Sequence, residues 1–189
     1  MSQPTVLVLP GWQNSGPLHW QSLWEAQHGY RRVEQHDWMR PLRGDWIARL
    51  EEVVLEQVPS TDGGAAPGIV LVAHSLGCHL AAAWAAHSQH RDLVQAALLV
   101  APPDLDRSDV PPQLFNWRPV QRQHLPFAAL LVHSEDDPFS STEASLRLAA
   151  DWAVPDWPLG QRGHVNAESG LGDWPEGLLR LQQLTAHLP

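Results

Sequence analysis

The stretch Ile69-Val-Leu-Val-Ala-His-Ser-Leu-Gly-Cys78 runs five apolar residues into a serine set between small neighbours. Residues 69–73 are a short, largely β-branched run, the pattern of a strand buried on both faces of a parallel sheet. Residues 76–88 are Ala-rich and carry Leu76, Leu80 and Trp84, which predicts a helix. The chain thus passes from strand to helix within a few residues. Ala73, Ser75 and Gly77 give the order small, X, Ser, X, Gly. A turn this sharp strains its apical residue and needs small neighbours so that strand and helix approach closely. It leaves the serine hydroxyl standing proud of the sheet, as in the G-x-S-x-G elbow. The departure is one methyl group, at Ala73. The simpler reading is that Ser75 only caps the helix, which serine commonly does.

The flanking sequence repeats the alternation. Residues 5–9, Thr-Val-Leu-Val-Leu, form an apolar strand stopped by Pro10-Gly11, a turn signal. Residues 17–27 space Leu18, Trp20, Leu23 and Trp24 along a helix face, and 31–36 read as a strand. A second helical stripe covers 44–58, followed by a loop at 59–68. Further strands are predicted at 95–101 and 127–133, with a short one at 153–159. Helices are predicted at 141–152 and 173–187, the last with Asp173 as N-cap and Pro175 in its first turn. Residues 102–126 carry Pro102, Pro103, Pro111, Pro112, Pro119 and Pro126 and show no period, so they read as irregular. Strands alternating with helices imply an α/β fold with a mostly parallel sheet and helices on both faces. Nothing marks a repeat or a linker, so residues 1–189 read as a single domain.

Composition narrows the partners. Twelve basic against twenty-one acidic residues give a formal charge of −9, which disfavours nucleic acid and anionic membranes. The apolar runs fall short of the ~20 residues of a membrane helix, and no signal peptide precedes the first strand. One cysteine, Cys78, excludes an intramolecular disulfide and fits a cytoplasmic location. Its place inside a helix marks it as a small buried hydrophobe. The ten tryptophans read mainly as core and helix packing.

A serine hydroxyl needs a base to act as a nucleophile, and the base needs a third group to hold its tautomer. In the elbow-type order, acid and then histidine follow the serine. After the run at 127–133 comes Ser134-Glu-Asp-Asp-Pro-Phe139, which offers Asp136 or Asp137. Near the C-terminus Gly163-His164 offers a loop histidine. In open parallel sheets such loops converge at the carboxyl ends of the strands. Adjacent residues of an extended segment point to opposite sides, so one aspartate faces His164 and the other shapes the loop. Pro138 biases Asp137 toward extended backbone. The remaining ten histidines read as packed or exposed. His74 points away from the site if Ser75 points into it, and His133 is packed. No spacing suggests a metal site or a cofactor. For an oxyanion, the N–H of Leu76 at the helix start is one donor, and the loop after the first strand offers Trp12 or, second, Gln13.

Taken together, Leu9-Pro-Gly-Trp12 with His19-Trp20, Val72-Ala-His-Ser-Leu-Gly-Cys78, Ser134-Glu-Asp-Asp-Pro-Phe139 and Gly163-His164 resemble the retinoblastoma-binding-protein-9-like (YdeN-like) serine hydrolases over nearly the whole chain. The resemblance implies a compact α/β-hydrolase without a large cap domain. It implies a triad of Ser75, Asp137 and His164. One member of that family is named for a partner bound through Leu-x-Cys-x-Glu. Here Leu76-Gly-Cys-His-Leu80 lacks the Glu, so that partner is not expected. The resulting expectation is a serine hydrolase acting on a small-molecule ester through an acyl-Ser75 intermediate. The alternatives are a non-catalytic binding module on the same fold and an amidase or peptidase using the same triad.

Overall fold

Every strand-like run joins one sheet in the computed structural model, which describes residues 4–58 and 68–186. The strands are β1 (Thr5–Leu9), β2 (Arg31–Arg32), β3 (Ile69–His74), β4 (Val94–Val100), β5 (Ala128–His133) and β6 (Asp156–Pro158). Their order across the sheet is β2-β1-β3-β4-β5-β6, and all five pairings are parallel. The helices are α1 (Trp20–His28), α2 (Arg43–Leu55), α3 (Leu76–His87), α4 (Thr142–Trp152) and α5 (Pro175–Thr185).

The two faces follow from the period of two along a strand. Ile69, Leu71 and Ala73 of β3 face one core with Trp46, Leu50 and Val53 of α2, Leu80 and Trp84 of α3 and Trp152 of α4. Val70 and Val72 face the other, with Trp20 and Trp24 of α1 and Leu181 of α5. The expected α/β architecture with helices on both faces is what forms. On the α1 side the core is largely tryptophan: the Trp20 ring lies 4.7 Å from Trp24 and 5.1 Å from Trp174, and Trp157 stacks on Trp174 at 5.9 Å. Edge-on and offset contacts of this kind suit aromatic quadrupoles.

Four local expectations are corrected. The first helix starts at Trp20, because His19 takes the N-cap and its Nδ1 accepts from Gln21 N. The strand expected at 31–36 shrinks to Arg31–Arg32; after Val33 N donates to Val8 O at 2.9 Å the chain leaves the sheet. The helix expected to reach Val58 ends at Leu55, where Leu55 and Val58 are exposed and no longer extend the buried stripe. Asp173 does not cap α5. Trp174 occupies that position in a left-handed conformation without a side-chain cap, because its buried indole packs among Trp20, Trp24 and Trp157. Pro175 does open that helix. The loop expected at 59–68 lies, apart from Gly68, outside the described residues.

Between β4 and β5 the chain forms a single 3-10 turn, Pro112–Trp117, in place of a cap domain. Leu105, Leu114 and Trp117 bury themselves against the α2 side, and the Trp117 indole donates to Pro41 O at 2.8 Å. This leaves the carboxyl ends of the central strands open. Gln21, fully buried, ties two of those ends together: its Nε2 donates to Leu9 O at 3.3 Å and to Val72 O at 3.0 Å, while its Oε1 accepts from Ser15 Oγ at 2.7 Å. Buried carbonyls without such partners would cost about 1–3 kcal/mol each. Among the described residues no helix is long and apolar enough to cross a membrane.

Candidate functional site

The parallel register places the end of β1 beside the end of β3, with Leu9 opposite Ala73. The next residues on each strand build the site. Ser75 has φ 54° and ψ −124°, outside the three allowed regions for L-residues. Such a conformation costs on the order of 1–3 kcal/mol and persists only when its surroundings enforce it. Here Ser75 N donates to Val100 O at 2.9 Å, which carries the β3–β4 pairing past the strand, and Cys78 N donates to Ser75 O at 3.0 Å. A Cβ on Gly77 would lie 2.1 Å from Leu9 O, and one on Gly11 would lie 2.7 Å from Ser75 Cβ. Two missing methyl groups thus let the end of β1, the elbow and α3 close on one another. Gly77 is the small residue expected at the elbow; Gly11, expected in the turn that also offers an oxyanion donor, lies against the elbow as well. The methyl of Ala73 is buried and accommodated.

Ser75 stands at the N-cap position of α3, but its side chain makes no capping bond. Its hydroxyl instead donates to His164 Nε2 at 2.9 Å. On the other side of the ring, His164 Nδ1 donates to Asp137 Oδ2 at 2.9 Å and reaches Oδ1 at 3.1 Å. A carboxylate only accepts, so Nδ1 carries the ring proton and Nε2 turns its lone pair to the serine. The Asp137 side chain is 2% exposed and that of His164 11%. Phe139 covers the pair, its ring 4.6 Å from the imidazole in an edge-on contact, and its N–H donates to Asp137 Oδ1 at 2.9 Å. An imidazole placed in this way is able to take up a hydroxyl proton.

The neighbouring aspartate makes different contacts. Asp136 Oδ1 accepts from Ser134 Oγ at 2.8 Å and from Gly163 N at 2.7 Å. Those bonds hold its carboxyl below the usual carboxylate range. They also join the acidic loop after β5 to the loop of His164, where Arg162 N donates to Ser134 Oγ at 2.8 Å.

The remaining predicted positions are also located. The N–H of Leu76 belongs to the first turn of α3, whose amides have no intrahelical acceptor. Gln13 N donates to Trp38 O at 3.1 Å, whereas Trp12 N has no acceptor among the described residues. Trp12, Leu76, Ser75, His164, Leu114 and Phe139 line one cleft of about 1010 Å³. Cys78 is buried with its thiol on Val100 O at 3.4 Å, and burial pushes that thiol up. Leu76 to Leu80 are buried throughout. Among the described residues no three His, Cys, Asp or Glu side chains form a metal-binding group.

Two residues are more involved than the sequence suggested. His74 Nε2 donates to the backbone O of His164 at 2.9 Å, and His19 packs its ring 4.6 Å from that of His74. Burial lowers both, His19 to about 4 and His74 well below 6.5, and the Arg32 guanidinium adds to the effect on His19. The one available signal was the His19-Trp20 pair, which the elbow chemistry left unused.

The sequence matches the family model described as Serine hydrolase over residues 6–183. No curated protein matches it. Among solved structures the chain is similar to a YdeN-like hydrolase of Pectobacterium atrosepticum, at 26% identity and a TM-score of 0.81, covering 97% of this chain and 91% of that one. It is similar to the ydeN gene product of Bacillus subtilis at 18% identity and a TM-score of 0.72, covering 97% and 100%. It shares its fold with the carboxylesterase CesB of Bacillus subtilis at 12% identity and a TM-score of 0.61, covering 99% and 85%. The family match runs from the second residue of β1 into α5 and takes in the elbow and both loops that meet it. The chain belongs to the serine hydrolase family.

Proposed function

We propose that the protein hydrolyses carboxylic esters of small molecules through an acyl-Ser75 intermediate. One observation carries the reading: the unbroken line from Ser75 Oγ through the His164 imidazole to a nearly buried Asp137 carboxylate, anchored on a strained elbow. His164 Nε2 takes the hydroxyl proton as Oγ attacks the ester carbonyl, and returns it to the departing alkoxide oxygen. Asp137 holds the Nδ1–H tautomer and stabilises the imidazolium. The N–H groups of Trp12 and Leu76 receive the oxyanion at the positive end of α3. Water then attacks the acyl-enzyme by the same route in reverse.

The cleft is open, which suits short acyl groups and gives no reason for activation at a lipid interface. The same fold supports carboxylesterase chemistry in CesB, which fits an ester substrate. The test is a matched pair, p-nitrophenyl acetate and p-nitroacetanilide. The ester should be turned over by the wild type and not by Ser75→Ala. Faster cleavage of the anilide would reassign the enzyme to amides. Failure of esters from acetyl to octanoyl to exceed the Ser75→Ala background would overturn the catalytic reading.

A further inference from the structure

The loop that presents His164 is held in a conformation it would not choose. Gly163 and Val165, on either side of the histidine, have φ of 55° and 50°. The first is a glycine and tolerates this; a β-branched residue at positive φ is a genuine outlier. Val165 is also fully buried. Strain of this kind persists only where the surroundings over-determine the backbone.

Two side chains from distant parts of the chain supply that constraint. His74 Nε2 donates to His164 O at 2.9 Å, and the Trp20 indole Nε1 donates to Val165 O at 2.8 Å. Consecutive carbonyls of the strained loop are therefore each gripped by a ring N–H. Both donors are buried, at 5% and 1% exposure. Both are fixed in turn: His74 is the last residue of β3, next to Ser75, and Trp20 is the first residue of α1, behind the His19 cap. The rings of His19, His74 and Trp20 pack together, with His19 lying 4.6 Å from His74 and 5.3 Å from Trp20. One donor thus stands on the strand that carries the serine.

We propose that His74 and Trp20 are positioning residues, a two-point clamp that sets the His164 imidazole against Ser75. The proposal rests on the reading of His164 as the base. It gives a purpose to His19-Trp20 and to the histidine before the serine, neither of which touches the reacting atoms.

A control lies one turn along the same helix. The Trp24 indole donates to Asp173 O at 2.5 Å, outside the His164 loop. Trp20→Phe and Trp24→Phe each delete one indole N–H bond and keep an aromatic ring. With p-nitrophenyl acetate, Trp20→Phe and His74→Leu should lower kcat by about tenfold to a hundredfold, the scale of a misplaced catalytic group, with KM nearly unchanged. Trp24→Phe should keep the wild-type kcat. His74→Gln, which returns an N–H donor of similar reach, should recover most of the loss. The far-downfield proton resonance of the His164 Nδ1–H should broaden or shift in Trp20→Phe and stay in place in Trp24→Phe. Should His74→Leu fail to fold, the Trp20 and Trp24 pair decides. The clamp is overturned if Trp20→Phe keeps wild-type kcat, or if Trp24→Phe loses as much. His164→Ala separates the two ideas. If it abolishes turnover while the clamp variants do not, only the clamp falls; if it keeps turnover, the base assignment falls and the clamp with it.

Discussion

Ser75 and His164 meet across 2.9 Å, yet the two strained turns that carry them are built by different means. The elbow is enforced by shape. Its backbone is squeezed between β1, β4 and α3, and the space it needs comes from Gly11 and Gly77. The His164 loop is enforced by hydrogen bonds from side chains: Asp136 on Gly163 N, Ser134 on Arg162 N, His74 and Trp20 on successive carbonyls. The first should be sensitive to a single added methyl. The second should be sensitive to isosteric changes in donors, acceptors and charge. The difference is testable in four steps of decreasing size.

The largest effect should come from an isosteric change on the histidine side. Asp137→Asn should cut kcat by about 10⁴, because an amide favours the wrong imidazole tautomer and cannot stabilise the imidazolium. The melting temperature should change little. A loss below tenfold would remove Asp137 from its assigned place.

Acid should come next. Burial keeps His19, His74 and His79 neutral in the folded chain, His19 and His79 to about 4 and His74 well below its ordinary 6.5. Below pH 6.5 the unfolded chain binds protons that the folded chain refuses, so stability falls as pH falls, down to about pH 4. Each such histidine contributes up to about 1.4 kcal/mol per pH unit in that window. Thermal unfolding followed from pH 7 to pH 5 should show a marked fall in melting temperature. A flat profile would mean that these rings are not held neutral.

The elbow should respond to volume. Gly77→Ala puts a methyl 2.1 Å from Leu9 O, a backbone atom that cannot swing aside. Stability should drop by about 3 kcal/mol, as for an overpacked core, in urea or thermal unfolding. Unchanged stability would show that the elbow is looser than its geometry. The smallest effect belongs to Asp136→Asn, again isosteric, which weakens the anchors on Gly163 and Ser134. Turnover should fall at most about tenfold, the scale of one ordinary hydrogen bond. A larger loss than in Asp137→Asn, at unchanged melting temperature, would exchange the two aspartates.

The same difference explains what was readable beforehand. Strand, small residues, serine and helix lie within ten consecutive residues, so local pattern was enough for the elbow and for the sheet around it. Asp137 and His164 could be placed because parallel strands deliver their following loops to one edge. His74 and Trp20 could not, since their bonds span 90 and 145 residues and leave no periodic trace. Gly11 read as a turn because the atom it must avoid, Ser75 Cβ, lies on another strand. At the start of α5 a sound local rule, an Asp N-cap with a proline in the first turn, gave way to the packing of the Trp174 indole. Here the burial of a large ring outweighs the preference for a capping side chain.

The central claim is that the Ser75 hydroxyl is the activated nucleophile. An alkyl fluorophosphonate reacts with such a hydroxyl and ignores ordinary serines, and intact-mass spectrometry with peptide mapping counts and places the adducts. The wild type should take up one phosphonyl group, on Ser75. Ser75→Ala should take up none, and His164→Ala should react far more slowly than the wild type. Equal labelling of the wild type and Ser75→Ala, or an adduct mapped to any other residue, would contradict the claim.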